Sequence, residues 1–206
     1  AGSGAFWIEG VDRTSGPTPH SGTRCLGIEV PNPVSGQTHR SQLNMYVKQA
    51  NLVGPTYYYS FWMYLPTNFQ LAWLGWGNWC SLNDPTMNLN DGSGNPKGEL
   101  MIQNMDSSKT SWKAGIEYTP LSGQGGRTYQ WYDNFPLPLG RWFKVEASVD
   151  LTTGNIKVWM DGIKIVDWSG LSFDSTNYYI AVAKLYFDGS DTIPKKLWVD
   201  DIEIWG

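Results

Sequence analysis

The segment HRSQLNMYV, residues 39–47, sets Arg40, Gln42, Asn44 and Tyr46 at alternate positions. In a strand these four share one face, with Ser41, Leu43, Met45 and Val47 on the other. A guanidinium, two amides and a phenol in one stripe can hydrogen-bond the hydroxyls of a sugar chain. They can also neutralise a carboxylate while a nearby base removes the proton α to it. Towards the C-terminus, AVAKLYF adds Lys184 and Tyr186 at alternate positions, on the parity of Ile180 and Val182. Arg40, Gln42, Tyr46, Lys184 and Tyr186 are therefore the candidate catalytic set for such an elimination. His39 adjoins Arg40 and falls on the opposite face.

A second set of residues suits stacking. WLGWGNWCS, residues 73–81, has Trp73, Gly75, Gly77 and Trp79 on one parity and Leu74, Trp76, Asn78 and Cys80 on the other. Leu74 and Cys80 read as core-facing, leaving a strip where a pyranose ring could approach indoles and backbone closely. The candidate ligand-binding residues are Arg40, Gln42, Asn44 and Tyr46 with Trp76, Asn78 and Trp79. Gln103 in GELMIQNM, Trp112 and Tyr118 in SWKAGIEY, and Trp131 in YQWYD complete the group. Twelve tryptophans and 11 tyrosines in 206 residues exceed what a core needs, which points to an aromatic surface. A few polar groups among them would fix a ligand's orientation.

Composition excludes several classes. The net charge of −4 leaves no basic face for a nucleic acid. No apolar run is long enough to span a membrane. His20 and His39 cannot make a three-histidine metal site, and no H-E-x-x-H, C-x-x-C, G-x-S-x-G or E-x-D-x-x-E pattern occurs. No carboxylate pair of the glycosidase kind can be assigned. Cys25 and Cys80 are consistent with one disulfide or with two buried thiols. The opening AGSGAFWIEG reads as a cut end with no signal peptide.

The elements that must position these residues are short strands. Alternating or β-branched runs occur at 40–47, 56–66, 98–105, 111–118 and 141–150, and again at IKVWM, IKIVDW, YYIAVAKLYF and KLWVDDIEIW. Asp161-Gly162 marks a hairpin turn. No helical periodicity intervenes. The expectation is an all-β, antiparallel two-sheet β-sandwich of concanavalin A-like jelly-roll type, one domain over 1–206. The Gly-, Pro- and Asn-rich stretches at 31–36, 83–97 and 119–127 read as surface loops.

PHSGTRCLGIEV (19–30) and LWVDDIEIW (197–205) resemble the first and last strands of jelly-roll carbohydrate-binding modules. HRSQLNMYV, GPTYYYSFWMYLPTNF and GRWFKVEASVDLTTGNIKVWMDG resemble the heparin-lyase-like and alginate-lyase-like sandwiches. Gln42 stands where those lyases have glutamate, and WLGWGNW replaces their Gln-x-His strand. That substitution favours a non-catalytic module binding a β-linked polysaccharide through an aromatic groove. The alternative is a polysaccharide lyase acting on a uronic-acid-containing glycan. Alternation puts Asp200 with Trp198, Ile202 and Ile204 on the inward face, where a carboxylate needs compensation. The resemblance implies that Asp200 and Glu9, with the Ser21–Thr23 stretch, hold a structural calcium ion. It also implies a secreted protein, with an appended catalytic domain as a candidate partner.

Overall fold

The computed structural model describes residues 2–3, 5–31, 33–34, 39–47, 55–71, 76–82, 97–105, 111–120, 128–172, 178–187 and 193–206. Trp73, Leu74 and Gly75 lie outside the described residues, as does most of the loops expected at 31–36, 83–97 and 119–127.

Fourteen strands are described: β1 Gly2–Ser3, β2 Ala5–Glu9, β3 Cys25–Val30, β4 His39–Val47, β5 Thr56–Tyr64, β6 Trp76–Leu82 and β7 Lys97–Asn104. They continue with β8 Trp112–Thr119, β9 Thr128–Tyr132, β10 Trp142–Asp150, β11 Asn155–Met160, β12 Ile163–Trp168, β13 Tyr178–Phe187 and β14 Lys195–Trp205. They form two seven-stranded sheets. The first runs β1-β4-β13-β6-β7-β8-β9 and the second β12-β11-β10-β5-β14-β3-β2. Every pairing is antiparallel except the two-residue contact of β1 with β4. The molecule is a two-sheet antiparallel β-sandwich.

Alternation explains the core. β10 is buried at Phe143, Val145, Ala147 and Val149, and β5 at Tyr57, Tyr59, Phe61 and Met63. These meet Leu100, Ile102, Trp112, Ala114, Ile116, Tyr118 and Leu185 of the first sheet. Each fully buried Phe, Leu or Ile contributes about 1.5–3 kcal/mol. The Asp161-Gly162 turn joins β11 to β12 with both residues at positive φ, 52° and 79°, as a type I′ hairpin requires.

Four bulges break the alternation among the described residues, one of them in β12 opposite Val158 and Trp159 of β11. Between Val182 and Leu185, β13 carries one residue more than β4. β6 carries an extra residue between Asn78 and Cys80 relative to β7, and β14 one between Asp200 and Glu203 relative to β5. Each bulge exchanges the two faces of the strand beyond it. The expected face sharing of Val182 with Tyr186, of Asn78 with Cys80, and of Asp200 with Ile202 is corrected accordingly.

Candidate functional site

The outer face of the first sheet is mapped from its register. Ser41 is buried and pairs with the core residue Leu185, so Arg40 takes the outward alternation. Arg40 pairs with Tyr186, and Tyr186 pairs with Asn78. Asn78 pairs with Met101, Met101 with Gly115, and Gly115 with Trp131. One continuous row therefore crosses six strands, with Arg40, Tyr186 and Asn78 on three adjacent ones. Gln42 lies opposite the β13 bulge that contains Lys184. Trp76 pairs with Gln103, which pairs with Lys113, in the next row.

The rest of the β4 stripe runs away from this point. Asn44 pairs with Ala181 and Tyr46 with Tyr179, four and six residues from Arg40. At about 3.4 Å per residue those steps are roughly 14 and 20 Å. Tyr46 therefore does not join Arg40 and Tyr186. His39 pairs with Phe187, which pairs with Gly77, in the row of the buried Ile102 and so on the core parity. Trp79 occupies the β6 bulge.

Two expected ligand residues belong to the core instead. Trp112 is 5% exposed and Tyr118 7% exposed, both packed between the sheets. Tyr118 donates its hydroxyl to the Ser172 carbonyl at 2.7 Å. Their parity partners Ala114 and Ile116 are fully buried, which removes both as stacking platforms. The same alternation sends Lys113 and Gly115 outward. Trp131 is half-buried on the edge strand, its ring stacked on Tyr129 at 5.7 Å.

The proposed calcium ligands lie on the outer face of the second sheet. Leu197 and Val199 face the core, and Asp200 takes the opposite side. Glu9 is 3% exposed. Its Oε2 accepts the indole N–H of Trp7 at 2.6 Å and of Trp198 at 2.9 Å, and its Oε1 accepts the Gly16 amide at 2.8 Å. Burial alone would raise this carboxyl, but those N–H donors and Lys196 outweigh it and hold the pKa below its usual value. A carboxylate facing three N–H donors does not fit a cation ligand, so the role expected of Glu9 is corrected. Asp200 accepts the Ser21 and Asp201 amides. Among the described residues no three His, Cys, Asp or Glu side chains come together to hold a metal ion.

This network instead straps residues 10–24 to the second sheet. Asp201 accepts the Ser21 hydroxyl at 2.5 Å and pairs with His20 at 2.8 Å, and these two contacts lower its pKa. His20 stacks on Trp62 at 3.7 Å, and Trp142 donates to the Thr18 carbonyl. Trp7 lies against Gly27, where a Cβ would come within 2.1 Å of the indole. Cys25 carries a free, buried thiol rather than a disulfide with Cys80. Burial, with Asp200 and Glu9 adding to it, pushes the thiol pKa up to about 12. Sequence reasoning missed this clasp, although the F-W-I-E alternation at 6–9 could have signalled an indole–carboxylate pair.

A family model described as polysaccharide lyase matches residues 13–203. An endo-β-1,4-glucuronan lyase from the fungus Trichoderma reesei superposes with a TM-score of 0.66 at 17% identity, covering 98% of this chain and 87% of its own. The cellulose-induced protein Cip1 gives 0.58 at 16% identity, with 98% and 85% covered. The alginate lyase AlyA1 from Zobellia galactanivorans gives 0.57 at 10%, with 94% and 82% covered. At these identities the superpositions establish the fold. A search among curated proteins finds no match. The family match overturns the expectation of a non-catalytic binding module.

Proposed function

Because the chain belongs to the polysaccharide lyase family, with a polysaccharide as its partner, we propose that it cleaves a uronic-acid-containing polysaccharide by β-elimination. The observation that carries this reading is the register of Arg40, Tyr186 and Asn78 on three neighbouring strands. Elimination needs the carboxylate of the uronosyl residue neutralised, because its α proton is otherwise far too weakly acidic to remove. Arg40, with Gln42 and Asn78, would donate hydrogen bonds to that carboxylate and stabilise the charge that develops on it.

Tyr186 would take the C5 proton. The C5–H electron pair then forms the C4=C5 double bond as the C4–O bond breaks. The departing oxygen at C4 leaves with a proton, which the same tyrosine returns to it. Lys184, two residues away on the bulged segment, would favour the phenolate that begins the cycle. The WLGWGNW segment, with Trp76 and Asn78, stands in place of the Gln-x-His strand of the resembling families. With Tyr46 distant and His39 on the core parity, base and acid are both assigned to Tyr186. A polymer substrate would suit an extracellular setting.

The test compares the protein with its Tyr186→Phe variant on polyglucuronate and alginate, following ultraviolet absorbance of unsaturated ends. A rise with the unmodified protein is expected, with a rate lower by about 10²–10⁴-fold in the variant and an unchanged melting temperature. Absence of unsaturated product on every uronan, or full activity in the variant, would remove the reading.

A further inference from the structure

At the far edge of the first sheet, Lys113 on β8 is a cation that the proposed reaction does not use. Its ammonium lies 4.5 Å from the centroid of the Trp131 ring, and no carboxylate pairs with it among the described residues. Trp131 is itself backed by Tyr129, whose ring is tilted only 10° from it. The ammonium is thus held by an aromatic face in place of a counter-ion.

Two features of the fold set this arrangement. Gly115 lies on the outward parity beside Trp131, and a Cβ there would come within 2.0 Å of the Gln130 carbonyl oxygen. The β9 backbone therefore leans across the outer face at that point, as only a glycine permits. Gln130 then clasps the second sheet from behind. Its amide donates to the Asp167 carbonyl at 3.3 Å and accepts the Asp167 N–H at 2.8 Å. The edge strand is pinned on one side and presents Tyr129 and Trp131 on the other.

Position and charge indicate what Lys113 would meet. Its row is adjacent to the row of Tyr186 and three strand spacings from β13, about 14 Å. That distance exceeds one sugar residue. On the other side of Gly115 the carboxylate residue Glu117 is buried, so Lys113 is the charged group that β8 offers on its outward parity.

We propose that Lys113 binds the carboxylate of a second uronosyl residue, displaced from the scissile bond, and that Trp131 is the positioning residue that fixes the ammonium there. The inference rests on the lyase reading and names a distal subsite of the same groove. A cation already immobilised against an indole loses less freedom when it binds.

The experiment measures binding and turnover of polyglucuronate, and of glucuronate oligosaccharides too short to reach from Tyr186 to Lys113. The variants are Lys113→Ala, Lys113→Arg, Trp131→Ala and Trp131→Phe. Lys113→Ala is expected to raise KM for the polymer about fivefold, leaving kcat and the short substrates unchanged. Lys113→Arg and Trp131→Phe keep the original KM, whereas Trp131→Ala moves it in the direction of Lys113→Ala. An unchanged polymer KM in Lys113→Ala, or an equal change on short and long chains, overturns the proposal. The two readings fail separately. If the polymer binds without forming unsaturated ends, the lyase reading falls. In that case a Kd weakened by Lys113→Ala retains the subsite, and an unaffected Kd eliminates it.

Discussion

The outer faces of the two sheets use the same residue types for opposite ends. On the first, a row of Arg40, Tyr186, Asn78, Met101, Gly115 and Trp131 leaves polar positions beside glycine and one edge indole. On the second, Trp7, Trp62, Trp142, Trp159, Trp198 and Trp205 collect, six of the chain's twelve tryptophans. Trp7 and Trp198 sit under the strap of residues 10–24, pinned through Glu9. Trp7, Trp62, Trp142 and Trp198 thus fasten a segment to a sheet. An aromatic surplus does not by itself locate a binding face.

That contrast predicts different consequences for changes on the two faces. Arg40→Ala should lower kcat on a uronan by about 10²–10³-fold while the melting temperature stays put. A stability loss with turnover retained would put Arg40 on the structural side of the comparison. Glu9→Ala should do the reverse. It leaves two indole N–H groups and one amide without an acceptor, a destabilisation of about 3 kcal/mol in denaturant unfolding. Turnover per folded molecule should not change, and a large drop in kcat would blur the distinction between the faces.

Glu9 also sets a pH dependence. Its folded pKa lies below the ordinary value of 4.5, so its stabilisation is fully present above that pH. It is lost as pH falls through the lowered value. Melting temperatures of the unmodified protein should therefore drop more steeply below pH 4.5 than those of Glu9→Gln, and parallel curves would contradict the clasp. The smallest effect is expected at Trp205, which is 46% exposed and stacked on Tyr58. Trp205→Ala should change stability by no more than about 0.5 kcal/mol and leave KM for the polymer unaltered. A raised KM would mean that the second sheet's aromatic face also receives substrate.

Much of the fold was legible because period-2 patterning and turn residues act locally. The runs at 56–66, 98–105, 111–118 and 141–150 correspond to β5, β7, β8 and β10, and Asp161-Gly162 turns as its residues require. The edge strands β2 and β9 escaped notice, being five residues each with mixed patterns. Face assignment failed wherever a bulge intervened. Val199 and Ile202 both pack on the core at odd spacing, and the registers of β13 and β6 shift in the same way. A bulge is set by how three strands fit together, so one strand's sequence does not reveal it.

Candidate site residues were legible by type but not by grouping. Arg40 and Tyr186 stand out in sequence, and only strand order brings them together with Asn78 between β13 and β7. Trp112 and Tyr118 look like platforms until Lys113 and Gly115 are seen to hold the outward parity. Glu9 was expected as a metal ligand from the resemblance alone, and nothing in its own stretch says that Trp198, 189 residues later, donates to it.

The central claim is that this sandwich breaks a glycosidic bond by removing a proton rather than by adding water. Mass spectrometry of the products from purified polyglucuronate and alginate, digested with the unmodified protein, tests it directly. The account predicts new non-reducing ends that lack the elements of water, formed by the unmodified protein and not by Tyr186→Phe. Fully hydrated ends, or polymers recovered uncut, would contradict it.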